Sequence, residues 1–165
     1  IILAAAGLER VGLADRGAEL LEPPRYWPAI AQGALALQAR AEDSAVREAL
    51  TLIDDAPSHR AIAAERACLS ALAGGCLAPI GGFSTENEGK LELTACVLEN
   101  TPNGVERIDV TAAVRIDAAA GEAMQTARQL GRAVAEQLRD AGADGMLARM
   151  RQRQSVSPPP PPDLD

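Results

Sequence analysis

Two alternating stretches joined by an Asn-Gly pair constrain the fold of this chain more than any other feature. Apolar residues take every second position from Lys90 to Leu98, and the same period returns from Ile108 to Ile116, after Asn103-Gly104. This period is typical of a strand with one buried face, and Asn-Gly is a strong signal for a tight hairpin turn. The sequence therefore predicts two antiparallel strands, the first with these residues facing inward: Leu91, Leu93, Ala95 and Val97.

Helical patterns flank the predicted hairpin on both sides. Behind it, one apolar stripe ends near Gly142 and predicts a helix that covers the sheet; its residues are Ala123, Ala127, Leu130, Val134 and Leu138. Ahead of it, Ile62, Leu69 and Leu72 define a second helix, which Gly74-Gly75 is placed to stop. Together these elements predict a small α+β domain.

The first 55 residues carry weaker patterns. Ile1 to Gly7 resembles a buried strand of a parallel sheet, but it is too short to span a bilayer and lacks the basic flank of a signal peptide. Such a strand needs sheet neighbours, so we expect the sequence to be part of something longer. Glu22 to Pro28 holds three prolines and predicts a crossing segment. Next come alternation at Leu35 and Leu37, and a helix over 45–53 capped by Asp43-Ser44.

Composition argues against several classes of function. The 165 residues are 47% hydrophobic with a formal net charge of -7 and a single Trp, Tyr and Phe, so a nucleic-acid surface is not expected. The three cysteines form no CxxC pair, which argues against a zinc site or a disulfide framework. We expect no metal, no membrane partner and a reducing, cytoplasmic location.

Cys76 is the cysteine with an unusual backbone context. Gly74-Gly75 precede it, and Pro79 with Gly81-Gly82 is expected to hold the following loop open, so the thiol is presented to solvent. From the residues alone it is a covalent attachment point or a nucleophile, since His59 is seventeen positions away with nothing to place it as a base. The pattern favours small buried hydrophobes for Cys68 and Cys96.

Two arginines have positions that suit an anionic ligand. Arg66 lies between Ile62 and Leu69 on the predicted helical stripe, where it either holds a ligand carboxylate or lays its stem along the surface and pairs with a carboxylate of the protein. Arg10 follows the predicted first strand, where open parallel sheets bind ligands, or it is a solvated charge. Beyond Met150 the sequence lacks apolar periodicity and predicts a proline-rich tail over 151–165, disordered or bound to an SH3-like partner.

Three ordered motifs, ILAAAGLERVGL, PAIAQGALALQAR and AERACLSALAGGCLAPIG, resemble the C-terminal half of hydroxymethylbilane synthase, also called porphobilinogen deaminase. The resemblance covers nearly all of residues 1–150. It implies the end of a periplasmic-binding-protein-like pair of α/β domains, then a small α+β domain with a three-stranded antiparallel sheet and covering helices. Residues 1–27 would end the second domain, 28–55 return to the first, and 57–150 form the cysteine-bearing third.

The resemblance also implies a chemistry. The family joins four porphobilinogen units, with loss of ammonia, on a dipyrromethane primer held by a thioether to the cysteine that matches Cys76, as part of haem and other tetrapyrrole biosynthesis. By the same resemblance Arg10, Arg66 and Gln32 bind carboxylates of cofactor or substrate, and Arg40 has a weaker claim. Ala31 stands where the family usually has Gly.

No residue of this chain matches the family's catalytic aspartate, which lies in the N-terminal half. The chain alone is therefore expected to be inactive, and the complete protein is expected to be a monomer. The alternative is a non-catalytic module derived from that enzyme, in which the cysteine-bearing domain and the tail bind a partner.

Overall fold

The structure is a computed structural model that describes residues 1–72, 78–117 and 119–156. Its helices are α1 (Ala5–Arg10), α2 (Ser44–Thr51), α3 (Ala56–Ala71), α4 (Ala120–Asp140) and α5 (Ala143–Val156). Its strands are β1 (Ile80–Asn87), β2 (Lys90–Thr101) and β3 (Gly104–Arg115). A 3₁₀ turn covers Ala14–Arg16.

The three strands form one antiparallel sheet in the order β1-β2-β3, which confirms the α+β domain and its sheet. Thr101 pairs with Gly104, so the predicted hairpin is confirmed, with Pro102 and Asn103 in the turn and Gly104 at φ 121°. The hairpin between β1 and β2, which turns at Glu88 and Gly89, has no such signal in the sequence.

The core lies between the sheet and the helices. All four inward residues predicted for β2 are fully buried, as is most of the α4 stripe: Ala127, Val134 and Leu138 at 0% exposure, Ala123 at 2% and Leu130 at 6%. Helix α3 is the helix predicted ahead of the hairpin, and Leu72 at its C-cap is buried as predicted. Ile62 and Leu69 are only partly buried, which differs from the prediction, and the buried residues of α3 are Ala61, Ala64, Glu65 and Cys68.

Helix α5 docks on the sheet through an ion cluster centred on Glu99. The Glu99 side chain is buried, and Arg149 donates to both of its oxygens, with Nε at 3.1 Å from Oε1 and 2.9 Å from Oε2. Arg153 donates to Oε1 at 2.7 Å and to the carbonyl oxygen of Asn100 at 2.7 Å. These bonds explain why residues 151–156 are helical and do not belong to the predicted tail; residues 157–165 lie outside the described residues.

The N-terminal third differs most from expectation. Residues 1–4 form no strand and α1 begins at Ala5, so the predicted parallel strand is wrong. Within the described residues, nothing pairs with this run to build a sheet, and Ile1 and Ile2 are 111% and 81% exposed. The alternation at Leu35 and Leu37 also forms no strand.

Helix α2 does form as predicted, with the Asp43 side chain accepting from the Val46 N–H at 3.1 Å. None of the helices in the described part of the chain is long and apolar enough to cross a membrane.

Candidate functional site

Helix α3 leads into the segment that carries Cys76. Asp55 caps its N-terminus by accepting from the Ser58 N–H at 2.8 Å, and the hydrogen bonds from Ser58 hold the pKa of Asp55 below its usual value. The helix ends at Ala71, Leu72 is its C-cap, and the next described residue after Leu72 is Ala78. Gly74, Gly75 and Cys76 lie outside the described residues.

Both flanks of that segment are anchored. Leu72 is 1% exposed in the core, and Ile80 begins β1 at 6% exposure. The carbonyl oxygen of Pro79 accepts from the Leu98 N–H at 3.0 Å, which ties the second flank to β2. Cys76 therefore belongs to a short connection whose ends are fixed by the core.

The other two cysteines are buried in the protein. Cys68 and Cys96 are both 0% exposed. Burial raises the pKa of Cys68 to about 12, and it raises the pKa of Cys96 as well. At neutral pH both groups are protonated thiols without access to solvent, which agrees with their prediction as small hydrophobes.

Arg66 lies on the exposed side of α3. Within residues 1–72, 78–117 and 119–156 its guanidinium makes neither an ion pair nor a hydrogen bond, so no described carboxylate takes the role that the alternative interpretation required. Arg66 comes directly after Glu65, which is one of the buried residues of the helix. An exposed guanidinium without a described partner can donate two parallel hydrogen bonds to the oxygens of a carboxylate.

Glu65 is the residue that sequence reasoning missed. It is 4% exposed, and its two carboxylate oxygens accept from the backbone N–H of Ala31 at 2.7 Å and of Ser84 at 2.9 Å. Burial raises the pKa of Glu65, and the hydrogen bonds from Ala31 and Ser84 oppose that rise. The signal was its place three or four residues from Ala61 and Cys68, since those small residues mark the buried face.

Residues 27–32, which we call the strap, wrap around the edge of β1. The Gly82 N–H donates to the carbonyl oxygen of Pro28 at 3.1 Å, and Ala29 forms a β-bridge with Gly81. A Cβ on Gly81 would lie 2.7 Å from Cβ of Trp27, and one on Gly82 would lie 2.7 Å from Cδ1 of Ile30. Because these glycines lack a Cβ, Trp27 and Ile30 of the strap can pack against β1. The prediction that Gly81-Gly82 holds a loop open is therefore wrong, since both glycines lie within β1.

Gln32 ends the strap and is exposed. Its Oε1 accepts from the Ala29 N–H at 2.9 Å, and its backbone N–H donates to the Ala29 carbonyl oxygen at 3.0 Å. The side-chain oxygen is therefore used within the turn. The side-chain nitrogen Nε2 has no hydrogen-bond partner among the described residues and can donate to a ligand. Ala31 before it has φ 62°, which explains why Gly suits this position.

The structure does not bring the remaining predicted residues to this place. Arg10 is the last residue of α1 and is exposed, and no hydrogen bond or ion pair joins it to the described part of the sheet domain. Arg40 is exposed as well, in the irregular stretch before α2. In the described parts of the chain, no group of three or more His, Cys, Asp or Glu side chains is placed to hold a metal ion.

Comparison with known proteins gives a consistent result. Residues 59–140 match the family model "Porphobilinogen deaminase, C-terminal domain", and residues 1–48 match "Porphobilinogen deaminase, dipyromethane cofactor binding domain". The strap thus belongs to one matched region and Glu65 to the other.

Curated relatives agree with the family models. The chain is 40% identical over 147 residues to the porphobilinogen deaminase of Syntrophobacter fumaroxidans, covering 89% of this chain and 44% of that protein. It is 39% identical over 148 residues to that of Brevibacillus brevis, covering 90% and 44%. To that of Halalkalibacterium halodurans it is 46% identical over 106 residues, covering 63% and 33%. The chain thus spans less than half the length of these relatives, and it belongs to the porphobilinogen deaminase family.

Proposed function

We propose that this chain is the C-terminal part of a hydroxymethylbilane synthase, which polymerises four porphobilinogen units to hydroxymethylbilane with release of ammonia. In this proposal Cys76 carries the dipyrromethane primer through a thioether between its Sγ and a methylene carbon of the primer. The observation that carries the proposal is the match of both family models to one chain, in the region of the thiol and in the strap.

Arg66 and Gln32 have donors that fit a ligand with carboxylates. Every pyrrole of the primer and of the substrate bears acetate and propionate groups, which require guanidinium and amide donors. Arg66 is exposed ten positions before Cys76, without a partner among the described residues, and the Gln32 amide is free to donate. Because Cys68 and Cys96 are buried, they do not compete for the primer.

The bound primer would supply the terminal pyrrole to which substrate units are added. The residues of this chain would hold it: Cys76 by the covalent bond, Arg66 and Gln32 by their hydrogen bonds to carboxylates, and Arg10 from the neighbouring domain. We further propose the domain division of the family, with residues 1–27, 28–55 and 57–150 in the second, first and third domains. The catalytic carboxylate would come from the N-terminal half, so this chain alone would be inactive.

Intact mass spectrometry tests the proposal. The chain is joined to the N-terminal part of the Syntrophobacter fumaroxidans relative and produced with porphobilinogen. We expect the adduct mass on the unaltered protein and on Cys68→Ala and Cys96→Ala, and the bare mass with loss of activity for Cys76→Ser, because a hydroxyl is a far weaker nucleophile than a thiolate at neutral pH. An adduct on Cys76→Ser, or none on the unaltered protein, contradicts the proposal.

A further inference from the structure

Glu65 occupies a position that packing alone does not explain. It lies on a stripe of small apolar residues, where a carboxylate is costly to bury, and no cation pairs with it in the described ranges. Among the described residues, its two oxygens accept from two backbone N–H groups, at 2.7 Å and 2.9 Å. An apolar side chain would fill the same space but would leave the buried Ser84 N–H and the partly buried Ala31 N–H without this acceptor.

The two hydrogen bonds join two separate parts of the chain. Oε2 accepts from Ala31 in the strap, and Oε1 accepts from Ser84 in β1. Ala31 is held with a positive φ of 62°, a conformation that a residue with a Cβ adopts only when its surroundings enforce it. The carboxylate is the group that fixes the strap to α3 at this strained residue.

The two candidate ligand-binding residues, Gln32 and Arg66, lie next to this hydrogen bond in the sequence. Gln32 follows Ala31, and Arg66 follows Glu65, so each candidate is one residue away from one end of the bond between Ala31 N and Glu65 Oε2. Successive residues of an α-helix point about 100° apart, so Arg66 lies on the face of α3 next to the one that holds the strap. The bond thereby ties the backbone next to Gln32 to the helical turn that carries Arg66.

We propose that Glu65 is a positioning residue, whose carboxylate holds Gln32 at a fixed separation from Arg66 so that both bind carboxylates of one pyrrole ligand. This rests on the proposed function for the identity of the ligand. Glu65 itself is buried and does not touch the ligand; it acts through the strap. Its role differs from a structural one because its loss should uncouple two contacts to the ligand while the fold persists.

The experiment compares Glu65→Gln with Glu136→Gln in the 165-residue chain. Both variants make the same chemical change, but Glu136 is exposed on α4. In Glu65→Gln one carboxylate oxygen is replaced by an NH2 group, which cannot accept from an N–H, so one of the two bonds is lost. We expect amide exchange at Ala31 or Ser84 to accelerate about tenfold or more, with the remaining core amides unchanged. Glu136→Gln should exchange like the unaltered chain.

Titration with millimolar porphobilinogen then tests the positioning role by NMR. In the unaltered chain and in Glu136→Gln, we expect shifts of both the Gln32 side-chain amide and the Arg66 Nε–H. Where exchange at Ala31 shows that this bond is lost in Glu65→Gln, the Arg66 shift should persist, the Gln32 shift should disappear, and the apparent Kd should rise about tenfold. If Glu65→Gln does not fold or keeps the Ala31 bond, Glu65→Met offers neither donor an acceptor, and the same pattern is expected.

The outcomes separate the two proposals. Normal exchange at both Ala31 and Ser84 in Glu65→Gln, or both ligand shifts at the unaltered Kd in a Glu65 variant that has lost the Ala31 bond, overturns the positioning role and leaves the proposed function intact. The absence of both shifts in the unaltered chain overturns the ligand assignment of the proposed function, and the positioning role with it.

Discussion

Replacing Gly131 by alanine should destabilise the domain although alanine is the better helix former. Gly131 lies where α4 crosses α3, and a Cβ there would be 2.0 Å from the carbonyl oxygen of Ala64 and 3.0 Å from Cβ of Ala67. The obstacle is the backbone of α3, which cannot rotate away as a side chain could. The helices must therefore separate by about 1 Å, which disturbs the whole interface between them.

The magnitude follows from two opposing terms. Overpacking of a core costs about 1–3 kcal/mol, and the rigid backbone contact places Gly131→Ala at the upper end. The gain in helix propensity on replacing glycine is about 1 kcal/mol. The free energy of unfolding should then fall by about 2 kcal/mol, and Tm by roughly 10 °C for a domain of this size. Thermal unfolding followed by far-UV circular dichroism measures both.

Gly121 in the same helix is the matched control. Among the described residues, no atom outside its own stretch of helix lies within 4 Å of the Cβ that Gly121→Ala would add. This variant therefore gains propensity without a clash, and its Tm should stay level or rise by a few degrees. The reasoning is refuted if Gly131→Ala unfolds at or above the Tm of the unaltered chain, or if the two variants shift Tm alike.

Two further predictions concern charged groups. Arg149 and Arg153 hold the pKa of Glu99 below its usual value. Their bonds therefore stabilise the fold above the unfolded-state pKa of Glu99, and this stabilisation is lost as pH falls through its folded-state pKa. Amide exchange should show that α5 opens more often in acid, and Glu99→Gln should remove this pH dependence. Arg66→Leu should leave Tm unchanged but weaken porphobilinogen binding about tenfold in NMR titration, because the exposed guanidinium is lost. Arg66→Lys should bind with an intermediate Kd, since a point charge cannot form the two parallel bonds. Unaltered binding by the Leu variant would show that Arg66 does not bind the ligand.

The sheet and α4 could be predicted from sequence because their large side chains mark the buried face. Leu91 and Leu93 alternate with polar residues on β2, and Leu130, Val134 and Leu138 repeat at helical spacing on α4. In both cases local periodicity agrees with the tertiary packing, so no knowledge of distant contacts is needed.

Helices α3 and α5 show where this agreement ends. The buried face of α3 carries alanine, cysteine and Glu65. Gly131 brings α4 close to Ala64 and Ala67, where a larger side chain would not fit. The hydropathy pattern instead points to Ile62 and Leu69. Helix α5 is fixed beyond Met150 by arginines that bind Glu99, a contact between residues 50 or more positions apart that no local pattern reveals.

The ligand-binding roles of Arg66, Gln32 and Cys76 stay predictions, and the residues that support them could not be predicted from sequence. The exposed position of Arg66 agrees with a role in binding, whereas the prediction for Cys76 stays a prediction because the residue lies outside the described part. Glu65 and the strap depend on hydrogen bonds between segments 34 and 19 positions apart, and such contacts are set by the tertiary fold.

The strap also affects how the domain behaves in solution with other molecules. β1 is an edge strand, and an open edge can pair with a strand of a second molecule. The Gly82 N–H of this edge donates to the carbonyl oxygen of Pro28. Proline has no N–H of its own, so it cannot donate a hydrogen bond to a further strand beyond it. A fragment that began at residue 57 would keep the sheet and its helices but would leave this edge uncovered, and it should therefore be prone to aggregate through β1.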